Sequence, residues 1–84
     1  MSLPTVRLSK HLADDIDRRG IRLADIEAAI ATPDRTTPDP TWPELTRSFR
    51  AVAWFGGRVP RVVHRPDGAD IFVVTAHWDR GAKR

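Results

Sequence analysis

Three histidines are the residues of this chain best suited to move protons at neutral pH. They are His11, His64 and His77. An unperturbed imidazole has a pKa of about 6.5, so one neutral ring can accept a proton while a second, protonated ring donates one. His11 stands at the start of an expected helix, and His77 stands near the end of an expected strand. These two are therefore the candidates for a general acid and a general base.

Three arginines in the second half could hold negative charge beside those imidazoles. A guanidinium group can grip a phosphate through two parallel N–H donors, and Arg47, Arg50 and Arg61 are the candidates. Thr75, two residues before His77, could orient a phosphate oxygen. Metal-independent RNA cleavage needs a base for the 2′-hydroxyl proton, an acid for the leaving oxygen and cations for the charge on phosphorus. These residue types match that chemistry.

Each candidate also has a structural explanation. His11 can bond to the backbone of the first helical turn. Thr75 is a favoured strand residue, and His77 can simply end its strand in solvent. His64 can pair across the sheet with a neighbour. A basic surface can also be a solvated face that binds no ligand, so the sequence leaves both explanations open.

Positive charge is concentrated in the second half of the chain. The formal net charge of the 84 residues is +3. Residues 46–84 contain eight Lys and Arg against three Asp, which is +5, whereas residues 1–45 contain six basic and eight acidic residues, which is −2. A small domain with one basic surface suggests a polyanion as partner, and RNA is the first expectation.

The composition argues against a cofactor and against export. There is no cysteine, which excludes a disulfide framework and a thiolate metal site. We find neither a glycine-rich phosphate loop nor a His-Glu-x-x-His helix, so we expect no cofactor and no metal. The first residues lack the features of a signal peptide, and no apolar run approaches the roughly 20 residues that span a bilayer. We therefore expect one soluble domain, residues 1–84, in the reducing cytoplasm.

Two amphipathic helices are expected in the first half, over about residues 9–19 and 23–31. Ser9 is a typical N-cap residue, and Gly20 can take the left-handed conformation that ends a helix. Pro33 prevents continuation of the second helix. Each helix has one narrow apolar stripe, so both need a second layer to pack against.

That second layer is expected to be a β-meander over residues 46–78. Residues 32–45 contain four of the seven prolines and predict a loop, in which Trp42 either pins the loop or exposes a stacking surface. Three strand-like runs follow, at residues 46–55, 59–65 and 71–78, separated by turns at 56–57 and 66–68. The expected fold class is α+β, with two N-terminal helices packed on a three- to four-stranded antiparallel β-sheet.

Strand alternation assigns residues to the two faces of this sheet. The bulkier set of the last run is expected to face the helices, and it comprises Phe72, Val74, Ala76 and Trp78. Thr75 and His77 then point to the open face. Alternation along the first run adds Arg50 and Trp54 to that open face.

Several short motifs carry a resemblance to a known family. In chain order they are Ser9-Lys10-His11, Arg19-Gly20-Ile21, Asp25-Ile26, Pro33-Asp34, Arg61-Val62-Val63 and Val73-Val74-Thr75-Ala76. Over roughly residues 8–80 the chain resembles a small bacterial domain-of-unknown-function family with Ser-x-His, Arg-Gly-Ile and Val-Val-Thr-Ala motifs. That family is grouped with the RelE/ParE-like (barnase-EndoU-colicin-RelE) toxin fold.

The resemblance implies a toxin-like, metal-independent ribonuclease acting on free or ribosome-bound RNA and neutralised by an acidic antitoxin protein. Two departures bear on the chemistry. Family members often carry an arginine four residues after the histidine, where this chain has Asp15. RelE-type toxins commonly use a tyrosine near the C-terminus, and this chain has no tyrosine. Catalysis would therefore depend on histidine and arginine. The alternatives are a catalytically silent RelE-like module that binds protein or nucleic acid, and a purely structural accessory domain.

Overall fold

A computed structural model describes residues 4–79 of the chain. These residues form two helices, α1 at Lys10–Arg19 and α2 at Leu23–Ala31. They also form five strands: β1 Val6–Leu8, β2 Arg35–Pro38, β3 Thr46–Phe49, β4 Val59–Asp67 and β5 Asp70–Asp79. A short 3-10 helix at Ala53–Phe55 lies between β3 and β4. Three of the basic residues counted above, Arg80, Lys83 and Arg84, lie outside the described residues, as do residues 1–3.

The five strands make one mixed sheet in the order β1-β5-β4-β3-β2. β1 runs parallel to β5, and the other neighbouring strands are antiparallel. The α+β class is therefore confirmed, but the expectation of a purely antiparallel sheet of three to four strands is wrong. β1 has only three residues, which is too short for alternation to show.

β2 lies inside the segment that the prolines had marked as a loop. Its sequence, Arg35-Thr36-Thr37-Pro38, has no Val, Ile, Leu or aromatic residue, and three of these four residues are exposed. Its backbone pairing with β3 holds it in the sheet. The first strand-like run, expected over residues 46–55, is also shorter than predicted, because β3 ends at Phe49. The chain then folds into an arm, residues 50–58, that contains the 3-10 helix.

The ends of α1 agree with the sequence. The Ser9 side-chain oxygen accepts a hydrogen bond from the Leu12 amide at 3.1 Å, which satisfies one of the free donors of the first turn. Gly20 ends the helix with φ at 72°, a left-handed conformation that favours glycine. In the described residues, neither helix is long and apolar enough to cross a membrane.

The hydrophobic core lies between the helices and one face of the sheet. Its fully buried members are Leu12, Ile21, Ile26, Ala29, Val62, Val73 and Ala76. Side chains that alternate with the core residues of β4 and β5 therefore lie on the opposite face, which we refer to as the open face. Arg61 and Val63 of β4 lie there because Val62 between them is in the core.

A β-bulge in β5 changes which residues reach the open face. Val63 pairs with Thr75, but the next residue of β4, His64, pairs with Val73, so Val74 is an extra residue. Val73 is therefore in the core, and Phe72 lies on the open face. The predicted inward direction is thus wrong for Phe72 and correct for Ala76.

α1 lies along the edge of β5 where β1 ends. The Ser9 hydroxyl donates to the carbonyl oxygen of Val74 at 2.8 Å, and the Arg19 guanidinium donates to that of Ala76 at 2.9 Å. In the reverse direction, the Trp78 indole donates to the Arg19 carbonyl oxygen at 2.7 Å. These bonds bring one side of α1 to the rim of the open face.

Candidate functional site

Four of the six predicted site residues meet where α1 borders β5. They are His11, Arg61, Thr75 and His77. Arg61 and His77 are directly paired on neighbouring strands. The Thr75 hydroxyl oxygen lies 3.0 Å from Nε2 of His77. His11, from the first turn of α1, is near enough for its charge to lower the pKa of His77.

Two residues that the sequence analysis did not select complete this cluster. Arg19 donates to the Thr75 hydroxyl at 3.3 Å and to Oδ2 of Asp15 at 3.2 Å. The same Asp15 oxygen lies 3.6 Å from Nε2 of His11. The whole group, referred to below as the imidazole site, comprises His11, Asp15, Arg19, Arg61, Thr75 and His77.

Helical spacing explains why Asp15 and Arg19 belong to the site. Residues four apart lie on the same side of a helix, and His11, Asp15 and Arg19 follow that spacing. In the sequence, Asp15 stands out only as a departure from a family pattern. Its carboxylate also pairs with Arg18 at 2.6 Å, and its side chain is only 14% exposed. The sequence shows this spacing, but it does not show that this side of α1 faces β5.

The surroundings of His77 favour its neutral form. The side chain reaches solvent, but the protein atoms around the ring remove part of its hydration, and this desolvation is the first cause that lowers its pKa. The positive charges of Arg19, Arg61 and His11 lower the pKa further. The ring is therefore able to accept a proton at neutral pH. The Thr75 hydroxyl oxygen accepts a bond from Arg19 and has a second lone pair for Nε2–H of the neutral ring, a tautomer that leaves Nδ1 free to take a proton.

Arg61 has a donor without a partner in the described structure. Its Nε is buried, and no hydrogen-bond acceptor lies in reach of it among residues 4–79. Buried donors are nearly always paired in folded proteins, so an orphan beside a histidine is informative. The atom has almost no accessible surface, so an oxyanion could bond to it only after a movement of the Arg61 side chain.

Arg47 lies on the open face but is already engaged. It pairs with Val63, which pairs with Thr75, so it stands two strands from the imidazole site. Its Nε donates to Oδ2 of Asp39 at 3.1 Å. The Trp42 backbone amide, together with Arg47, holds the pKa of Asp39 below its usual value despite burial. This carboxylate offsets the charge of Arg47.

Arg50 does not lie on the open face, where strand alternation had predicted it. β3 ends before it, and its guanidinium donates to the Thr32 carbonyl oxygen at 2.7 Å and lies 4.0 Å from Asp34. The expectation that Arg50 and Trp54 lie on the open face is wrong, because both belong to the arm after β3 and contact residues of or beside α2. Arg19 takes the position beside Thr75 that a second phosphate-binding arginine would need.

His64 lies on the helix side of the sheet. Its Nε2 is 2.7 Å from the Ser48 hydroxyl oxygen, and Ser48 is 1% exposed. Burial lowers the pKa of His64. His64 therefore pairs across the sheet, which is the structural explanation that the sequence had left open for it. Within residues 4–79, no three acidic or histidine side chains are grouped so as to hold a metal ion.

Comparisons with known proteins give no relative, since no family model, curated protein or solved structure matches this chain. The RelE/ParE-like relationship consequently stays a prediction from short motifs. What can be said about function must come from the geometry of the imidazole site.

Proposed function

We propose that this protein is a toxin-like, metal-independent ribonuclease whose active centre is the imidazole site. One observation carries the proposal: His77, with its pKa lowered, pairs with Arg61, shares the Thr75 hydroxyl with Arg19, and is near enough to a second imidazole, His11, for that charge to act on it. Two imidazoles supply the base and the acid that 2′-hydroxyl attack requires, and two guanidinium groups supply the charge.

In this reaction neutral His77 takes the proton from the 2′-hydroxyl group. The 2′-oxygen then bonds to phosphorus, the bond from phosphorus to the 5′-oxygen breaks, and protonated His11 donates its proton to that leaving oxygen. The products are a 2′,3′-cyclic phosphate and a 5′-hydroxyl end. Arg19 and Arg61 hold the negative charge that develops on the phosphoryl oxygens, and Thr75 orients the His77 ring.

Two further observations support this assignment of roles. Arg61 pairs with His77 on the neighbouring strand, and its guanidinium charge lowers the pKa of that ring. Asp15 holds Arg19 in place and lies within ion-pair distance of a protonated His11. Positioned donors that need no rearrangement during the reaction are what makes electrostatic stabilisation effective.

The second candidate is a catalytically silent module of the RelE/ParE-like fold that binds RNA or protein. The exposure of His11 favours it, because this side chain is 78% exposed and its one ion-pair partner among residues 4–79 is 3.6 Å away. A ring held so loosely is poorly positioned to donate a proton, whereas Arg19 and Arg61 would bind phosphate without any proton transfer. In either case an acidic antitoxin protein is a fitting partner for a chain whose residues 46–84 carry +5.

Incubation of purified protein with single-stranded RNA in the presence of a chelator tests the first candidate. We expect cleavage products that end in a 2′,3′-cyclic phosphate, and no cleavage of the same oligonucleotide with 2′-deoxy sugars. His77→Ala and His11→Ala should each lower the rate by about tenfold or more, since general acid–base catalysis commonly contributes at least about a hundredfold.

Arg65→Ala is the matched control, because Arg65 lies against Phe72 at the other end of β5. Its rate should equal that of the wild type. Unchanged rates in both histidine variants would refute the active centre. Salt-dependent binding of RNA that stays intact, free or on ribosomes, would establish the silent module instead.

A further inference from the structure

A cluster of aromatic rings lies beside the imidazole site, on the helix side of β5. Trp54 and Phe55 of the arm are stacked, with ring centroids 5.0 Å apart and ring planes 11° apart. Phe55 meets Trp78 edge-on at 5.0 Å. Trp54 is 47% exposed and Phe55 is 37% exposed. Single exposed rings are ordinary, but contiguous ones usually mark a contact surface.

Guanidinium groups cover this cluster. The Arg22 Cζ atom lies 4.1 Å from the centroid of the Trp54 ring, and the Arg58 Cζ atom lies 4.7 Å from the centroids of both Phe55 and Trp78. Arginine stacks on aromatic faces through its flat, weakly hydrated cation. The cluster is therefore both aromatic and positively charged.

A buried carboxylate fixes the outer part of the cluster. Asp25 is 6% exposed and accepts the Trp54 indole N–H at 2.9 Å. It also accepts two bonds from Arg22, through Nε and one terminal nitrogen, at 3.4 Å each. These bonds hold the Arg22 guanidinium group over Trp54, while the Arg22 side chain stays 57% exposed. Pre-organisation of this kind lowers the entropic cost of binding.

The cluster and the imidazole site are joined by the last turn of α1. Trp78 directly follows His77, and its indole donates to the Arg19 carbonyl oxygen, while the Arg19 guanidinium donates to Thr75. His77 and Trp78 point to opposite sides of β5, so a chain of nucleotides with one phosphate at Arg19 and Arg61 would have to pass the end of α1 to reach Arg22.

We propose a stacking platform in which Arg22, supported by Trp54, stacks the outer side of its guanidinium group on a base of single-stranded RNA whose phosphate occupies the imidazole site. Trp54 itself is covered by Phe55 on one side and by Arg22 on the other, and Arg22 remains exposed. This inference depends on the proposed function for the identity of its ligand. A guanidinium plane held over an aromatic ring accepts any base by stacking. An apolar peptide would instead meet a charged group lying over the ring, so the observations favour nucleic acid.

Binding of a non-cleavable RNA tests the platform separately from catalysis. The probe is a short 2′-O-methyl oligonucleotide, and its dissociation constant is measured by fluorescence anisotropy. We expect Trp54→Ala to weaken binding by about tenfold, within the range measured for loss of one stacked base, without changing the salt dependence. Trp42→Ala is the matched control, because Trp42 is 60% exposed in the loop before β3 and should be without effect.

A second measurement uses only the wild-type protein, in case Trp54→Ala disturbs the fold by leaving Asp25 without its indole partner. Removing the base from one nucleotide at a time should weaken binding at one or two adjacent positions and leave the other positions unchanged. An equal effect at every position, or a Trp54→Ala affinity within twofold of the wild type, would overturn the platform. RNA cleavage is measured separately. If binding behaves as expected and no cleavage occurs, the platform is supported and the ribonuclease is not; if cleavage occurs but Trp54→Ala and base removal leave binding unchanged, the platform is overturned.

Discussion

At the scale of single residues, the arginines suited to bind a phosphate also lower the pKa of His77, the proposed general base. Arg19 and Arg61 come from α1 and β4, and both charges lower the pKa of His77. A neutral ring is thus maintained as long as the site is empty of anions. A bound phosphate would offset these positive charges and raise the proton affinity of His77 at the stage when the ring has to accept a proton.

The titration of His77 is the most direct check of this coupling. By NMR we expect the pKa of His77 to lie below the ordinary histidine value of about 6.5. Arg61→Ala should raise it, because loss of a nearby positive charge stabilises the protonated ring. Arg65→Ala removes an equal charge farther away and should leave it unchanged. A His77 pKa that is not lowered in the wild type, or that does not respond to Arg61→Ala, would contradict the geometry described here.

At the scale of elements, Ser9 links the position of α1 to the sheet. Its hydroxyl accepts the Leu12 amide proton and donates its own proton to the Val74 carbonyl oxygen. The first bond caps the helix that carries His11, and the second attaches this helix to the bulged residue of β5. One side chain therefore sets how the first turn of α1 meets the imidazole site.

Ser9→Ala removes both bonds. We expect it to lower the free energy of unfolding by about 1–2 kcal/mol, the sum of a typical N-cap and a part-buried hydrogen bond. Urea denaturation measures the change. Thr32→Ala is the control, because the Thr32 hydroxyl bonds only to the Ala28 carbonyl oxygen on an exposed turn and should cost less than about 0.5 kcal/mol. Equal losses in the two variants would show that Ser9 has no special role.

The elements also show which parts of the molecule the sequence can predict. Ser9 and Gly20 mark the ends of α1 because caps and left-handed turns have local residue preferences. β2 has no such signal, since its pairing with β3 comes from the tertiary structure. The bulge at Val74 also has no signal in the sequence. This bulge places the Phe72 side chain on the face opposite to the one that regular alternation predicts.

The candidate site was predicted in part for the same physical reason. Thr75 and His77 lie beyond the bulge, where alternation is regular, so their direction followed from the pattern. Their proximity to His11 depends on where α1 lies against β5, which the pattern did not contain. The predicted direction of Arg50 was wrong because β3 ends one residue before it. The chain then enters the arm, whose aromatic rings contact Trp78 and α2.

At the scale of the whole molecule, stability is coupled to pH through His64. This ring lies on the helix side of the sheet against Ser48, and burial lowers its pKa in the folded state. In the unfolded chain a histidine titrates at about 6.5. Between the lowered folded pKa and that value the unfolded state binds more protons, so stability rises with pH in this window. The lowered pKa of His77 acts in the same direction.

We therefore expect the free energy of unfolding, measured in urea, to be constant above about pH 7 and to fall as the pH decreases from about 6.5 toward 5. His64→Gln should reduce this fall, because the amide can keep a bond to Ser48 and has no proton to gain. The remaining fall should come from His77 and decrease further in the double variant His64→Gln with His77→Gln. If stability were the same at about pH 5 and about pH 7.5, or if His64→Gln left the fall unchanged, protonation of this half-buried ring would not oppose folding.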